Sequence, residues 1–527
     1  MSVFKKLKNE IQIGEGMKFN QSIKIVGAGV MLSLLIVSCQ KSFLDVPVQG
    51  QATTATDPNL AVNLVTGVYN SLLNGSAFGG EGDIHGISFV AATNIISDDG
   101  DKGSTDSDQQ GIKDLDNFAT TPTNTFVAAL WNGYYNGIAR ANQALTALST
   151  ASLDATTKAQ LMGEVRFIRG YYYFNLVRFF GKVPKVLRVP KDAQDANTDP
   201  AFQTRAPVDT IYNVIMQDLQ YAFENLPLKA KASAGHITKG TAESMLAKVY
   251  LYRKNWQQVL TLTQDVINSG QYTLVPDYSI IWRQAGDNNS EAIFEVKTGQ
   301  FNNSDFGVDG YAVWQGPRVG GKGGWTDLGF GFNNPTVNLV NAYEPGDKRK
   351  AATIIAIDNS GKYVGTTLFD GFRIPSSDSV QNLYYNYKAY HSENRNVESF
   401  SGNRDRKQKN LHLLRYADVL LMNAEAANEL GQTGVAIANL NRIRTRAGLA
   451  ATTATSQADV RNAIWKERRV ELAMEHDRFF DLVRTGRAAQ VMQAAGKNFV
   501  AGKNELLPVP SLQIALSGGK LDQNNGY

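Results

Sequence analysis

Residues 415–448 read RYADVLLMNAEAANELGQTGVAIANLNRIRTRAG, and their apolar spacing decides the fold. Tyr416, Leu420 and Ala424 recur at every fourth position until Gly431, and Ala436, Leu440, Ile443 and Ala447 then resume the pattern. Apolar residues three to four apart line one face of an α-helix, and a glycine just past the last of them is a stop signal. The stretch is therefore a helix, a short turn and a second helix. Neither helix can bury its apolar face alone, so such pairs stack on one another, as in tetratricopeptide-like solenoids.

The same unit recurs upstream. Ile211, Ile215, Leu219, Ala222 and Leu226 form a helical stripe, with Asp209 expected as its N-cap and Pro227 just past its end. Ala242, Met245, Val249 and Tyr252 form another; after a break at Asn255, a third helix runs through Val259, Val266 and Ile267. The repeats are degenerate and show no clean consensus of about 34 residues. The character changes between about residues 290 and 410. Ala292 to Val296 reads as a strand. Ile354 to Ile357, the turn Asp358-Asn359-Ser360-Gly361 and Tyr363-Val364 read as a hairpin. Glycine, asparagine and aromatic residues surround them with little periodicity, and a loop-rich insertion on a rigid scaffold is where binding function usually sits.

The N-terminus carries a targeting signal. Lys18 and Lys24 precede an apolar run of 13 residues, Ile25 to Val37. A helix needs about 20 apolar residues to cross a bilayer, so this run is too short. It ends in Leu35-Ile36-Val37-Ser38-Cys39, which resembles the bacterial lipobox, and Met17 is an alternative start. Cys39 is the only cysteine in 527 residues, which excludes an internal disulfide and a cysteine zinc site. Its expected role is lipidation: a diacylglyceryl thioether on the sulfur, with a further acyl chain on the freed amino group. Two or more chains hold a protein stably in a membrane. Cleavage before Cys39 removes five lysines and two glutamates, so the 53 basic and 49 acidic residues fall to 48 and 47, a net charge of +1. Such a chain lacks the basic field that nucleic-acid binders use.

Few stretches suggest chemistry. Gly316-Pro317-Arg318-Val319-Gly320-Gly321-Lys322-Gly323 nearly matches a phosphate-binding loop, but Gly323 replaces the magnesium-binding hydroxyl and no strand precedes it. Trp314 and Trp325 flank this segment, with Tyr311 nearby. Such rings can stack on sugars, cover apolar peptide side chains, or simply pack in a core. Asp98, Asp99 and Asp101, with Asp106 and Asp108 beyond, could bind calcium or sugar hydroxyls. They do not fit EF-hand spacing, and a solvated loop is the default expectation. His85, His236, His391, His412 and His476 form no metalloprotease motif, and there is no G-x-S-x-G elbow. A glycosidase carboxylate pair meets only in the fold and stays open. Between Trp465 and Arg484, Arg468–Glu471, Glu475–Arg478 and Asp481–Arg484 are spaced i,i+3, as in helix-surface ion pairs, with further pairing expected to neighbouring helices.

Taken in order, these residues resemble the SusD/RagB family of Bacteroidota surface lipoproteins. Cys39-Gln-Lys-Ser-Phe-Leu-Asp45 resembles the family's start after lipidation, and Trp131, Tyr135, Ile138, Arg140, Ala141 and Asn142 its W-x3-Y-x2-I-x-RAN helix. Glu164-Val-Arg166 through Arg169, Phe180-Gly-Lys-Val-Pro184, Ala247-Lys-Val-Tyr-Leu251 and Arg415-Tyr-Ala-Asp418 follow, as do the charged helix and the terminal Gln523-Asn-Asn-Gly-Tyr527. Asn525 stands where proline is usual, and His236-Ile237 where Arg-Ala is common before Thr238-Lys239.

The resemblance implies a mainly α fold: tetratricopeptide-like helix pairs in a right-handed superhelical scaffold, with a loop-rich insertion containing small β elements. The expected organisation is a signal peptide at 1–38, a lipidated tether at 39–56, a helical scaffold at 57–290, the insertion at 291–410 and a C-terminal helical part at 411–527. The resemblance also implies an outer-membrane lipoprotein facing outward, a lid for a SusC-like TonB-dependent transporter. It would capture an oligosaccharide or, in the RagB branch, a peptide, without catalysis, cofactor or metal. A surface glycoside hydrolase is the alternative from another class. Family motifs are scaffold and carry over no binding residue. From the residues themselves, Tyr311, Trp314 and Trp325 are the expected aromatic platforms, with Asp99 as a polar partner.

Overall fold

A computed structural model describes residues 57–73, 82–297, 309–318, 329–357, 367–374, 377–392 and 409–527. The signal segment, Cys39 and the tether lie outside these residues. Ten helices matter below: α1 (Pro58–Ser71), α2 (Thr125–Thr150), α3 (Ala155–Phe180), α4 (Val208–Asn225), α5 (Lys239–Tyr252), α6 (Trp256–Asn268), α7 (Tyr416–Glu429), α8 (Thr433–Arg446), α9 (Gln457–Glu471) and α10 (Arg478–Arg484). From α2 to α8 each helix packs against its neighbours in sequence, so the pairs form a stack in chain order. α6 packs on α7 although the insertion separates them in sequence. The tetratricopeptide-like, mainly α fold is thereby established.

Local chemistry sets the helix ends. Asn255 caps α6, its Oδ1 accepting from Gln258 N at 3.3 Å. Thr238 caps α5, its hydroxyl accepting from Thr241 N at 3.2 Å. Asp209 is not the cap of α4: Pro207 takes that position, while Asp209 lies in the first turn and pairs with Arg253 at 2.6 Å. An acid there still suits the positive end of the helix dipole.

Three two-stranded antiparallel sheets accompany the helices: β1 (Gly100–Gly103) with β3 (Phe332–Pro335), β2 (Ala292–Val296) with β6 (Leu411–Arg415), and β4 (Ile354–Ala356) with β5 (Tyr384–Asn386). The strand expected at Ala292–Val296 is present. Ile354 pairs with Asn386 of β5, and the expected hairpin partner Tyr363-Val364 lies outside the described residues. Ile355 and Tyr385 are buried together with Leu368 and Ile374 in a small cluster that only a distant strand could complete. Residues 358–366 lie outside the described set.

The charged segment departs most from its sequence pattern. α9 ends at Glu471, Met474 and His476 take φ of 64° and 74°, and α10 starts at Arg478. Only Asp481–Arg484 closes, at 2.6 Å; the break parts Glu475 from Arg478, while Arg468 and Glu471, both within α9, turn to partners on other elements. Arg468 instead reaches Asp418 of α7 at 2.6 Å, and Glu475 reaches Arg415 at 2.7 Å and Lys388 at 2.6 Å. Glu471 lies wholly buried among Arg446 at 2.5 Å, Arg349 at 3.1 Å and Arg415 at 3.1 Å. Arg415 also pairs with Glu291. Burial alone would raise the Glu471 carboxyl, but Arg446, Arg415 and Arg349 outweigh it and hold the group well below the usual carboxylate range. The network joins scaffold, insertion and C-terminal helices.

Removing one partner of a buried ion network leaves the others uncompensated, at a cost of about 3–5 kcal/mol. Arg415→Leu should therefore lose that much stability in denaturant unfolding, and a loss within measurement error would contradict the assignment. Glu471 binds protons less readily in the folded than in the unfolded chain. Its contribution is present above the ordinary glutamate pKa and is lost as pH falls below it.

Candidate ligand-binding site

The insertion's short helix Asp309–Gln315 carries Tyr311 and Trp314. Trp314 is 2% exposed, its ring centroid 5.0 Å from that of Phe330 and 5.4 Å from that of Phe332. The expectation of a sugar platform at Trp314 is corrected: covering a large indole between two rings stabilises the core. Tyr311 is half-buried, with its hydroxyl 3.1 Å from Nε2 of His476, whose Nδ1 lies 2.8 Å from the Thr93 hydroxyl. Trp325 and the glycine-rich residues 319–323 lie outside the described residues.

The acidic run is also not a solvated loop at its start. Asp98 and Asp99 are buried, Asp99 pairing with Arg469 at 2.6 Å and Asp98 with Arg478 at 2.8 Å. Asp99 therefore locks the N-terminal region to the charged segment, which corrects its expected role as a polar partner for ligand. Buried charges persist only when paired, and the partners are nearly 400 residues away in sequence, at 469 and 478. Asp108 is half-buried against Arg318 and the Ser104 hydroxyl, the latter at 2.7 Å. Among the described residues no group of acids and histidines is placed to hold a metal ion, and no helix is long and apolar enough to cross a membrane.

A concave surface lies elsewhere. Two adjoining cavities of about 250 and 390 Å³ share the loop Ala234-Gly-His-Ile237, the β2 residues Phe294 and Glu295, and Lys297 just beyond the strand. The end of α1 contributes Tyr69 and Leu72 to one, and the start of α5 contributes Thr238 and Thr241 to the other. Leu73 and Lys297, which immediately precede segments 74–81 and 298–308, line the same hollow. The volumes approach those of small-ligand clefts. His236 Nδ1 lies 3.1 Å from the buried Glu164 carboxylate, and its ring is 5.4 Å from that of Tyr69. The Glu164 hydrogen bond raises the His236 pKa against partial burial. Glu295 accepts from Asn288 N at 3.0 Å and Asn410 Nδ2 at 2.9 Å. Lys229 donates to the carbonyls of Asn289 at 3.0 Å and Ala292 at 2.8 Å.

Sequence reasoning placed no ligand here. Its one signal was the departure at His236-Ile237, which puts an imidazole where an arginine is common. Trp314→Ala should cost about 3–5 kcal/mol by chemical denaturation, as for other buried large rings; unchanged stability would show that the ring is not core.

Comparison with known proteins agrees with this architecture. The SusD family model matches residues 290–527, and a model described as starch-binding associating with outer membrane matches residues 90–251. SusD-like protein P2 of Formosa agariphila is 29% identical over 455 residues, covering 82% of this chain and 86% of that one. A solved structure titled laminarin binding SusD-like protein is 30% identical, with a TM-score of 0.73 over 89% of this chain and 99% of that one. Surface glycan-binding protein A from Bacteroides fluxus is 26% identical, with a TM-score of 0.72 over 89% and 100%. With family motifs in order, two family models on successive parts and a relative matched from end to end, the chain belongs to the SusD/RagB family.

Proposed function

We propose that this chain is a surface lipoprotein, held in the outer membrane through Cys39, that binds an oligosaccharide and passes it as a lid to a SusC-like TonB-dependent transporter. The observation that carries the glycan reading is the 30% identity, over 99% of its length, to a protein described as laminarin-binding. Family membership and the outer-membrane description of the second family model support the location and the transporter partner. The mechanism is capture without chemistry. Aromatic faces cover the apolar faces of sugar rings while polar groups fix hydroxyls, and affinity stays modest so that the ligand can leave. Trp325 and the exposed part of Tyr311 are the aromatic candidates in the insertion; Trp314 is not.

Affinity electrophoresis in gels containing laminarin, with a panel of other glycans beside it, tests this reading. The chain should be retarded by at least one glycan and should release no new reducing ends, whereas turnover would make it a hydrolase. Trp325→Ala should weaken glycan binding by about two- to tenfold, since ring stacking is worth about 0.5–1.5 kcal/mol; full affinity in that variant would remove Trp325 from the site. Cys39→Ser should move the protein from the membrane to the soluble fraction of cells, and continued membrane retention would refute the anchor.

A further inference from the structure

Donors and acceptors around the His236 hollow are unequally engaged. Both carboxylates there are already satisfied: Glu295 accepts from Asn288 and Asn410, and Glu164 lies buried against His236 and Gln160. Lys229 is satisfied too, with its ammonium on two carbonyls. Lys297 is the exception. It is half-buried and lines both cavities, and among the described residues its ammonium has no hydrogen-bond or ion-pair partner.

Its stem is nonetheless held in place. Gly235 has φ of +88°, and a Cβ there would meet Lys297 Cδ at 2.7 Å, so the lysine stem lies directly on the glycine backbone. Only glycine combines that φ with so close an approach. The ammonium is thus positioned beside His236, close enough to oppose its protonation. Tyr69 sits behind the imidazole, its hydroxyl accepting from Ile237 N at 3.0 Å. Among the described residues the hollow therefore presents one free cation, a half-exposed imidazole and a phenol ring. A group rich in hydrogen-bond acceptors would complement them.

We propose that this hollow is a subsite for an acidic sugar unit, whose carboxylate would sit between the Lys297 ammonium and the His236 imidazole with its ring against Tyr69. The proposal rests on the glycan-binding reading and adds to it the charge of the ligand and the place where that charge is read. A charge-assisted contact of this kind is stronger than a neutral hydrogen bond. It also depends on pH. The groups facing His236 are Glu164 from α3, Tyr69 from α1, and Glu295 and Lys297 from β2 and its continuation. Glu164 keeps the imidazole protonated above its ordinary range, and a bound carboxylate would do so further. As pH rises through that raised pKa the imidazolium is lost and binding weakens; a uronate stays ionised throughout.

The test is calorimetry on the purified chain with trigalacturonate and with the same trimer fully methyl-esterified. The acid should bind at least about tenfold more tightly than the ester. Lys297→Met, which keeps the stem over Gly235, should abolish that preference. His236→Gln should remove the decline in acid binding as pH rises beyond the ordinary histidine range. Laminarin retardation in the Lys297→Met protein reports that the fold and the neutral-glycan site are intact. Equal affinity for acid and ester, or an undiminished preference in Lys297→Met, would overturn the subsite while leaving the glycan reading standing. If no glycan of either kind bound, both would fall. Binding of a peptide through its terminal carboxylate, with no binding of trigalacturonate, would also overturn the assignment.

Discussion

The burial of Glu471 among three arginines is the constraint on which the rest of the molecule depends. A carboxylate at zero exposure cannot be tolerated alone, because desolvating an isolated charge costs several kcal/mol. Its partners come from different parts of the chain: Arg349 from the insertion, Arg415 from the end of β6, and Arg446 from the end of α8. Arg415 brings in Glu291 at the start of β2 and Glu475 beyond α9. One buried charge therefore fixes where the insertion leaves and re-enters the stack, and α6 can pack on α7 across an interruption of more than a hundred residues. The same logic holds at the other end of the segment, where Arg469 and Arg478 neutralise Asp99 and Asp98.

The helical stack was legible because its signal is local. Stripes of three- to four-residue spacing at Tyr416–Ala424 and Ala242–Tyr252, a stop at Gly431 and a cap at Asn255 each depend on a few neighbouring residues, and each stands in the structure. What failed was whatever depends on distant partners. The strand that pairs with Ile354 lies 30 residues on and carries no local signal. Asp98 and Asp99 look solvated until Arg478 and Arg469 are brought against them. The i,i+3 rule assumes an unbroken helix with solvent-facing charges: the turn through Met474 and His476 parts Glu475 from Arg478, and buried partners elsewhere claim Arg468 and Glu471.

The site divides in the same way. Aromatic residues in a glycine-rich stretch are a sound reason to look at the insertion, yet composition cannot tell a platform from a core ring, and Trp314 is a core ring. The hollow beside His236 had almost no sequence signal, since α1, the loop before α5 and β2 meet there from residues 69, 236 and 295. What could be seen was a departure from the scaffold pattern. A motif position that normally serves packing carries instead a titratable ring facing open space, which is how a rigid family fold can acquire a recognition element without altering its core.

A shared fold speaks only to architecture, so the function rests on what the surface binds. The most direct measurement is a crystal structure of the chain grown with an oligosaccharide that it retards in gels. The account predicts intact sugar against the insertion or in the His236 hollow, with aromatic rings against sugar faces and the scaffold unmoved. Cleaved sugar in that position, or a saturable site formed wholly on the outer surface of the α2–α6 stack, would contradict it.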